Sequence, residues 1–529
     1  MEVEQMNRKL QKILGRQVKL ENLTFVRIFA VQIILFFAIY GIMLIPRFST
    51  DSYSVFFSTG NGLGHYLTLG RTSTYFLYWA LLALDVNSVT LSPIFTAVFI
   101  LTVAWSAAVL LSLLKPYFLN LNWLTLLLLE FGIVLSYANL YFAELYFFSD
   151  VILMYTFALC FLTLALILFF HRNQIIGTIS ALVCLYLSLG FYQAFLGFFI
   201  IFGSMLVLVR HTLPETQWKK QTAKPLLLDL LRLIAVGGGS SITSVLVMGL
   251  LASMGFINSR GASLRVSDIF NSIRQMIFQF NYYYPMGYPS YLTGPSKIIF
   301  ILSGPVLLCM LASSFAMKNR KRKHYPYLSA AITLAILFCG FLSVFAPHFV
   351  SQSVWMTPRS ICSFFAVFTA IVVVIGCNYT HIEKSMPWAE TAVVLLLLAV
   401  NIVGIQGIAL DQIKINRQDR AEAEEIVRRI QDYESESGQS VDTISWRPDS
   451  RYTWTYPEIK YTFMDMNVRA GARSWSLIDC INYYAGRQFG SETMPDEIWA
   501  ANFMDQEWSA FQPEEQIRFD GNKMYLMVY

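Results

Sequence analysis

Runs of about twenty apolar residues recur along this chain, separated by short polar stretches. That spacing predicts helices that cross a membrane. The runs fall at 25–46, 93–114, 120–138, 151–170, 174–189, 192–210, 233–255, 298–317, 327–347, 361–377 and 388–409, which makes eleven expected spans. Three segments decide the parity. The run 75–84 is so short that as a helix it covers roughly 15 Å of a ~30 Å hydrocarbon core, so it is expected at the interface. The stretch 175–209 would be about 52 Å long as one helix, so it must break, with Leu189-Gly190-Phe191-Tyr192-Gln193 as the turn. Residues 226–256 carry Asp229 and Arg232 near their start. Their first turns are expected at the interface, with the span beginning just before Gly237-Gly238-Gly239.

Past residue 409 the pattern changes. A charged amphipathic helix is expected over 411–433, a strand over 441–446, and helices over 474–485 and 495–507. Segments 516–520 and 523–529 flank Asp520-Gly521-Asn522, a hairpin signal. The expected fold is a polytopic α-helical membrane protein with a small C-terminal α/β domain. A basic segment 1–24 is expected in the cytoplasm, the membrane domain over 25–409 and the α/β domain over 410–529.

Composition agrees. The 529 residues are 56% hydrophobic and 14% charged, with a mean hydropathy of +0.51. Soluble globular proteins carry roughly 25% charged residues, so a soluble enzyme, a disordered chain and a nucleic-acid binder are excluded. The net charge of +5 is uneven: residues 410–529 hold 13 basic and 21 acidic residues, a balance of −8, and the rest carries +13. With the N-terminus in the cytoplasm, 18 Lys and Arg fall on inner segments and 7 on outer loops before the tail. Lys and Arg favour the cytoplasmic side, so the acidic C-terminal domain is expected outside the plasma membrane. Cysteine carries no signal: six of seven lie in or beside apolar runs, and Cys480 is alone in the tail.

Candidate chemistry lies in the expected outer loops 47–92, 139–150, 257–297 and 348–360. Asp51 follows the first span closely, either as a solvated or helix-capping aspartate or as a base made stronger by partial desolvation. Glu144 and Asp150 sit among five aromatic residues, a composition that fits a membrane-interface belt or a sugar site. Arg260, Arg265, Arg274 and Lys297 lie among Tyr282, Tyr283, Tyr284, Tyr288 and Tyr291. Such a mixture suits an anionic phosphate or lipid headgroups. Arg359 is a further cation. Intramembrane charges are few, with Glu130 in mid-span, which argues against an ion-coupled transporter.

Four motifs carry a family resemblance. They are Phe48-Ser49-Thr50-Asp51-Ser52-Tyr53 followed by Gly70-Arg71; the stretch 139–150 with its Glu-then-Asp order; Leu187-Ser188-Leu189-Gly190-Phe191-Tyr192-Gln193; and Phe511-Gln512-Pro513-Glu514 before Ile517-Arg518-Phe519-Asp520-Gly521. In their order and spacing the chain resembles the bacterial membrane glucosyltransferases of the serotype-converting Gtr type II kind, with a GT-C-like membrane fold. The resemblance implies a polyprenyl-phosphate-sugar donor. It also implies transfer of a hexose, often glucose, to a surface polysaccharide at the outer face of the plasma membrane. Membrane lipids are partners and nucleic acid is not.

A phosphate leaving group departs without a general acid, so one base and nearby cations suffice. Asp51 is the expected base, and Arg71, Arg260 and Arg265 are the expected phosphate ligands. Glu144 and Asp150 could bind sugar hydroxyls or a divalent cation, and Tyr192 and Gln193 are expected to touch substrate. Rival readings are a flippase or exporter for lipid-linked sugars, a polysaccharide polymerase, and a non-catalytic scaffold.

Overall fold

A computed structural model describes residues 17–19, 22–57, 63–118, 121–212, 220–256, 266–281, 295–319, 326–349, 354, 356–380, 386–460, 466–504 and 506–529. In lipid, every backbone N–H and C=O must find a partner inside its own segment, so apolar runs become helices. The described chain begins with α1 (Phe25–Tyr40) and the short helices α2 (Ser52–Phe56), α3 (Leu63–Thr68) and α4 (Thr72–Ala83). Next come α5 (Ser92–Leu114), α6 (Trp123–Tyr137), α7 (Leu140–Phe147), α8 (Ile152–Phe169), α9 (Gln174–Phe191), α10 (Leu196–Thr212) and α11 (Lys220–Ser253). The helical part ends with α12 (Val266–Asn281), α13 (Pro295–Asn319), α14 (Pro326–Ser343), α15 (Ala346–Phe349), α16 (Phe364–Thr380) and α17 (Trp388–Ser437).

Among the described residues, nine helices are long and apolar enough to cross a membrane, and ten if α6 and α7 count as one bent span. This fits a polytopic membrane protein. The remaining expected run, 327–347, falls on the 18-residue α14, of which Ala330–Ser343 is the apolar part among the described residues. The 46° bend between α6 and α7 is centred on Asn139. Its side-chain amide donates to the carbonyls of Leu135 and Ser136, and its oxygen accepts from the Phe142 N–H at 2.9 Å. One side chain thus ends one helix and caps the next.

The break expected near residue 190 is present. Tyr192 is extended (φ −152°, ψ 111°) and a 3₁₀ turn, Gln193–Phe195, leads into α10. The segment expected to enter the membrane just before Gly237 is one helix, α11, running unbroken from Lys220 to Ser253 with Asp229 and Arg232 ahead of the glycines. Its charges are satisfied in place. Arg232 pairs with Asp229 at 2.8 Å and donates to Thr178 Oγ1, and His211 Nε2 lies 2.8 Å from the other Asp229 oxygen.

Helices α6 and α16 pack backbone to side chain. A Cβ on Gly132 would stand 2.6 Å from Val372, and one on Gly376 2.7 Å from Leu129. The 50-residue α17 is about 75 Å long, more than twice the ~30 Å hydrocarbon core. Its polar half therefore projects beyond the apolar layer and becomes the spine of the C-terminal region.

That region contains β1 (Thr443–Pro448), α18 (Ser474–Ala485), β2 (Gly490–Thr493), α19 (Asp496–Asn502), α20 (Pro513–Gln516), β3 (Ile517–Asp520) and β4 (Lys523–Val528). The sheet order is β2-β1-β4-β3. β1 is parallel to β2 and β4, and β3 and β4 form the expected hairpin. Ile426 and Ile430 of α17 bury against Ile444, Ile478 and Leu526. The edge strand β2 was not foreseen, because Gly-Ser-Glu-Thr has neither apolar alternation nor burial. The expected helix 495–507 is the shorter α19.

Candidate functional site

The Asp51 loop is held from three sides. Buried Arg47 donates to the carbonyls of Met43 and Tyr146, the latter at 2.6 Å, and Ser149 Oγ donates to the Arg47 carbonyl. Asp150, also buried, accepts from Ser49 Oγ and Ser52 Oγ at 3.1 and 2.9 Å. From α17, Asn416 clamps Phe48 with its amide in both directions, each bond 2.9 Å. Asp51 occupies the position before α2, but its carboxylate does not cap that helix. Oδ1 instead accepts from the indole Nε1–H of Trp475, 2.9 Å away at the start of α18.

Arg71 is placed by two glycines. Gly70 ends α3 at φ +75°, a conformation that favours glycine, and the Arg71 N–H returns to the Tyr66 carbonyl. A Cβ on Gly70 would also meet Gln193 Nε2 at 3.0 Å. Gln193 donates to the Leu69 carbonyl at 2.8 Å. A Cβ on Gly190 would lie 2.4 Å from Ser73 Oγ, so the bare Gly190 lets the first turn of α4 seat with that hydroxyl donating to the Leu187 carbonyl. The Arg71 guanidinium lies 5.2 Å from the centre of the Tyr192 ring, and its Nε is buried with no hydrogen-bond partner among the described residues. A buried guanidinium nitrogen without an acceptor is poised for an anion.

Glu144 is wholly buried and receives both the backbone N–H of Arg359 and its Nη1, the latter at 2.8 Å. The Arg359 guanidinium rests 4.1 Å over the Phe148 ring. Arg359 sits in a 3₁₀ turn, Pro358–Ile361, closed by a reciprocal Thr357–Ser360 capping box. His348 Nε2 lies 3.1 Å from Ser360 Oγ, and burial pushes its pKa down to about 4. The imidazole is therefore neutral at physiological pH and adds no positive charge beside Arg359.

These pieces enclose a cavity of about 860 Å³, large enough for a small ligand. Asp51, Asp150, Arg71 and Arg359 supply its charges. Tyr66, Tyr78, Tyr155 and Phe148 supply its rings, and Trp475 stands at one side. Tyr66 stacks on Tyr78 at 5.1 Å, and the Tyr78 hydroxyl donates to the Asp150 carbonyl. Of the residues named from sequence, Asp51, Arg71 and Asp150 converge here. Glu144, Tyr192 and Gln193 do not line the cavity. They stand behind it and orient Arg359, Arg71 and the α3–α4 turn, because each spends its polar group or ring on the protein. Arg260 and Arg265 lie outside the described residues.

The sequence flagged Arg359 only as a further cation. Nothing in it joins Trp475 to Asp51, which are 424 residues apart. Among the described residues, no three His, Cys, Asp or Glu side chains gather to hold a metal ion. A second recess, of about 340 Å³ between α17 and the tail, presents Glu422, Glu458, Tyr456 and Phe511 but no guanidinium.

The family of glucosyl transferase GtrII matches residues 17–404. The chain belongs to this family. No curated protein and no solved structure matches the chain. The GtrII match contains Asp51, Arg71, Asp150 and Arg359, so the charged wall of the cavity lies wholly inside it. It ends within the apolar part of α17 and does not reach Trp475 or the closing hairpin. Membership supports glucosyl transfer, which needs a sugar donor and an acceptor.

Proposed function

We propose that this chain transfers glucose from a polyprenyl-phosphate carrier to a surface polysaccharide at the outer face of the bacterial plasma membrane. The cavity that joins Asp51 to Arg71 and Arg359 carries this reading. Asp51 is the base. It takes the proton of an acceptor hydroxyl as that oxygen bonds to the sugar's C1. The bond from C1 to the carrier phosphate oxygen breaks on the opposite side, so the anomeric configuration inverts. The departing phosphate takes the electron pair, and Arg71 and Arg359 receive its charge. Asp150 holds the Asp51 turn through Ser49 and Ser52 and presents its carboxylate to sugar hydroxyls.

The membrane part takes a GT-C-like arrangement of eleven spans, with the N-terminus inside and 410–529 outside. No nucleotide sugar is available there, which favours a lipid-carried donor. The test is purified Asp51→Asn, assayed for transfer from polyprenyl-phosphate glucose. Turnover at the wild-type rate in folded protein would remove Asp51 from the mechanism. Lipid movement without glycosidic bond formation by the wild type would favour a flippase.

A further inference from the structure

Five tryptophans stand in the C-terminal region at 446, 454, 475, 499 and 508, and the fold gives them different tasks. Trp508 is buried in the core and Trp446 is partly buried. Trp499 packs its ring under Arg447 at 4.4 Å. Trp454 and Trp475 remain 52% and 50% exposed. The Trp454 carbonyl accepts from the N–H of Arg469, a residue that is itself buried. Trp475 starts α18, whose Tyr483 packs on Phe48, Tyr53 and Phe56 with ring centres 4.9–5.9 Å apart. The Arg473 guanidinium bridges the two indoles, 4.1 Å from the Trp454 ring and 5.2 Å from the Trp475 ring.

Large rings held half in water on fixed backbone are costly to hydration and suit stacking against a ligand with flat apolar faces. A pyranose offers C–H faces to rings and hydroxyls to a guanidinium. The position of the track decides which carbohydrate. It begins at the Trp475 indole that touches Asp51 and leads along the C-terminal region away from the cavity. Donor sugar must occupy the cavity itself, whereas an acceptor polymer must deliver one hydroxyl to Asp51 and leave its remaining units outside.

We propose that Trp475, Arg473 and Trp454 form a binding track for the acceptor polysaccharide, with Trp475 as the step that hands an acceptor hydroxyl to Asp51. This rests on the assignment of Asp51 as the base.

The test uses the full-length protein in lipid nanodiscs. The probe is surface polysaccharide from cells lacking this chain, cleaved into fragments long enough to span both indoles. Binding is read by quenching of tryptophan fluorescence and by calorimetry, with no donor present. Wild type should bind saturably. Trp454→Ala should weaken binding about tenfold, and Trp454→Phe, which keeps a ring, should restore most of it. Trp475→Ala should weaken it similarly. Wild-type affinity in Trp454→Ala, no fragment binding by the wild type, or saturable quenching by phosphatidylglycerol vesicles in place of fragments would each overturn the track. Asp51→Asn separates the two readings. Lost transfer with retained fragment binding supports both. Retained transfer removes the base assignment, while the fragment affinities of the tryptophan variants still judge the track.

Discussion

At the scale of single residues, the cavity depends on charges whose partners are fixed. Among the described residues, the Asp51 carboxylate receives one hydrogen bond from Trp475 and none from a guanidinium. A carboxylate held this way keeps lone pairs for an incoming hydroxyl. On the proposed mechanism Asp51→Asn keeps the size and loses the base, so transfer from the proposed lipid-phosphate donor should fall about 10²- to 10⁴-fold with the unfolding temperature unchanged. Glu144 makes a different prediction. Its carboxylate is fully buried and holds Arg359 by backbone and side chain. Glutamine in its place weakens the grip on a guanidinium that is itself 19% exposed, at a cost of roughly 1–3 kcal/mol. Glu144→Gln should lower the thermal midpoint in detergent and also weaken donor binding. A variant that loses donor affinity with no stability change would show Glu144 to contact the donor directly.

At the scale of elements, two junctions set the site. The bare backbone of Gly190 lets α4 dock on the last turn of α9, which orients Arg71. Gly190→Ala should displace α4 and reduce transfer, because a 2.4 Å contact cannot be relieved without moving Ser73. Rescue by the double variant Gly190→Ala/Ser73→Ala would assign the loss to that clash, and failure to rescue would refute it. The second junction is the polar half of α17. There Asp419 accepts from the Tyr456 hydroxyl at 2.8 Å and the Ala470 N–H at 3.0 Å. Burial pushes its pKa up to about 7, against those hydrogen bonds and the nearby Arg469. The folded state therefore keeps this proton up to about pH 7, and the unfolded state releases it near pH 4. Stability should rise as pH falls from about 7 towards 4 and be flat above. Asp419→Asn should reduce that slope in thermal scans without abolishing it, since burial raises Glu422 as well. An unchanged slope would show Asp419 to be ionised when folded.

At the scale of the whole molecule, α17 joins an apolar bundle to a polar α/β region, and the Asp51 loop is the seam between them. Phe48 and Tyr53 stack at 4.7 Å and both pack on Tyr483, so the C-terminal region roofs one side of the cavity. The proposed orientation is directly measurable. A cysteine at exposed Glu497 should react with a membrane-impermeant maleimide on intact cells, while the parent chain supplies the background. Labelling only after lysis would place the region inside and end the proposal of an external reaction.

The sequence by itself determined that this is a helical membrane protein with a strand-bearing C-terminal region. Hydrophobic length and period are local properties, and lipid leaves an apolar run no option except the helix. It likewise marked Asp51, Arg71 and Asp150, because charges at the edges of apolar runs stand out. It named Glu144, Tyr192 and Gln193 as substrate contacts, and the structure sets them outside the lining of the cavity. A one-dimensional pattern shows that a polar group lies near an interface, but not whether a buried partner has already claimed it. Only the tertiary structure joined Arg359 to Glu144 across 215 residues and brought Trp475 to Asp51. Such pairings are set by how helices cross and where the C-terminal region settles, and no local periodicity encodes that.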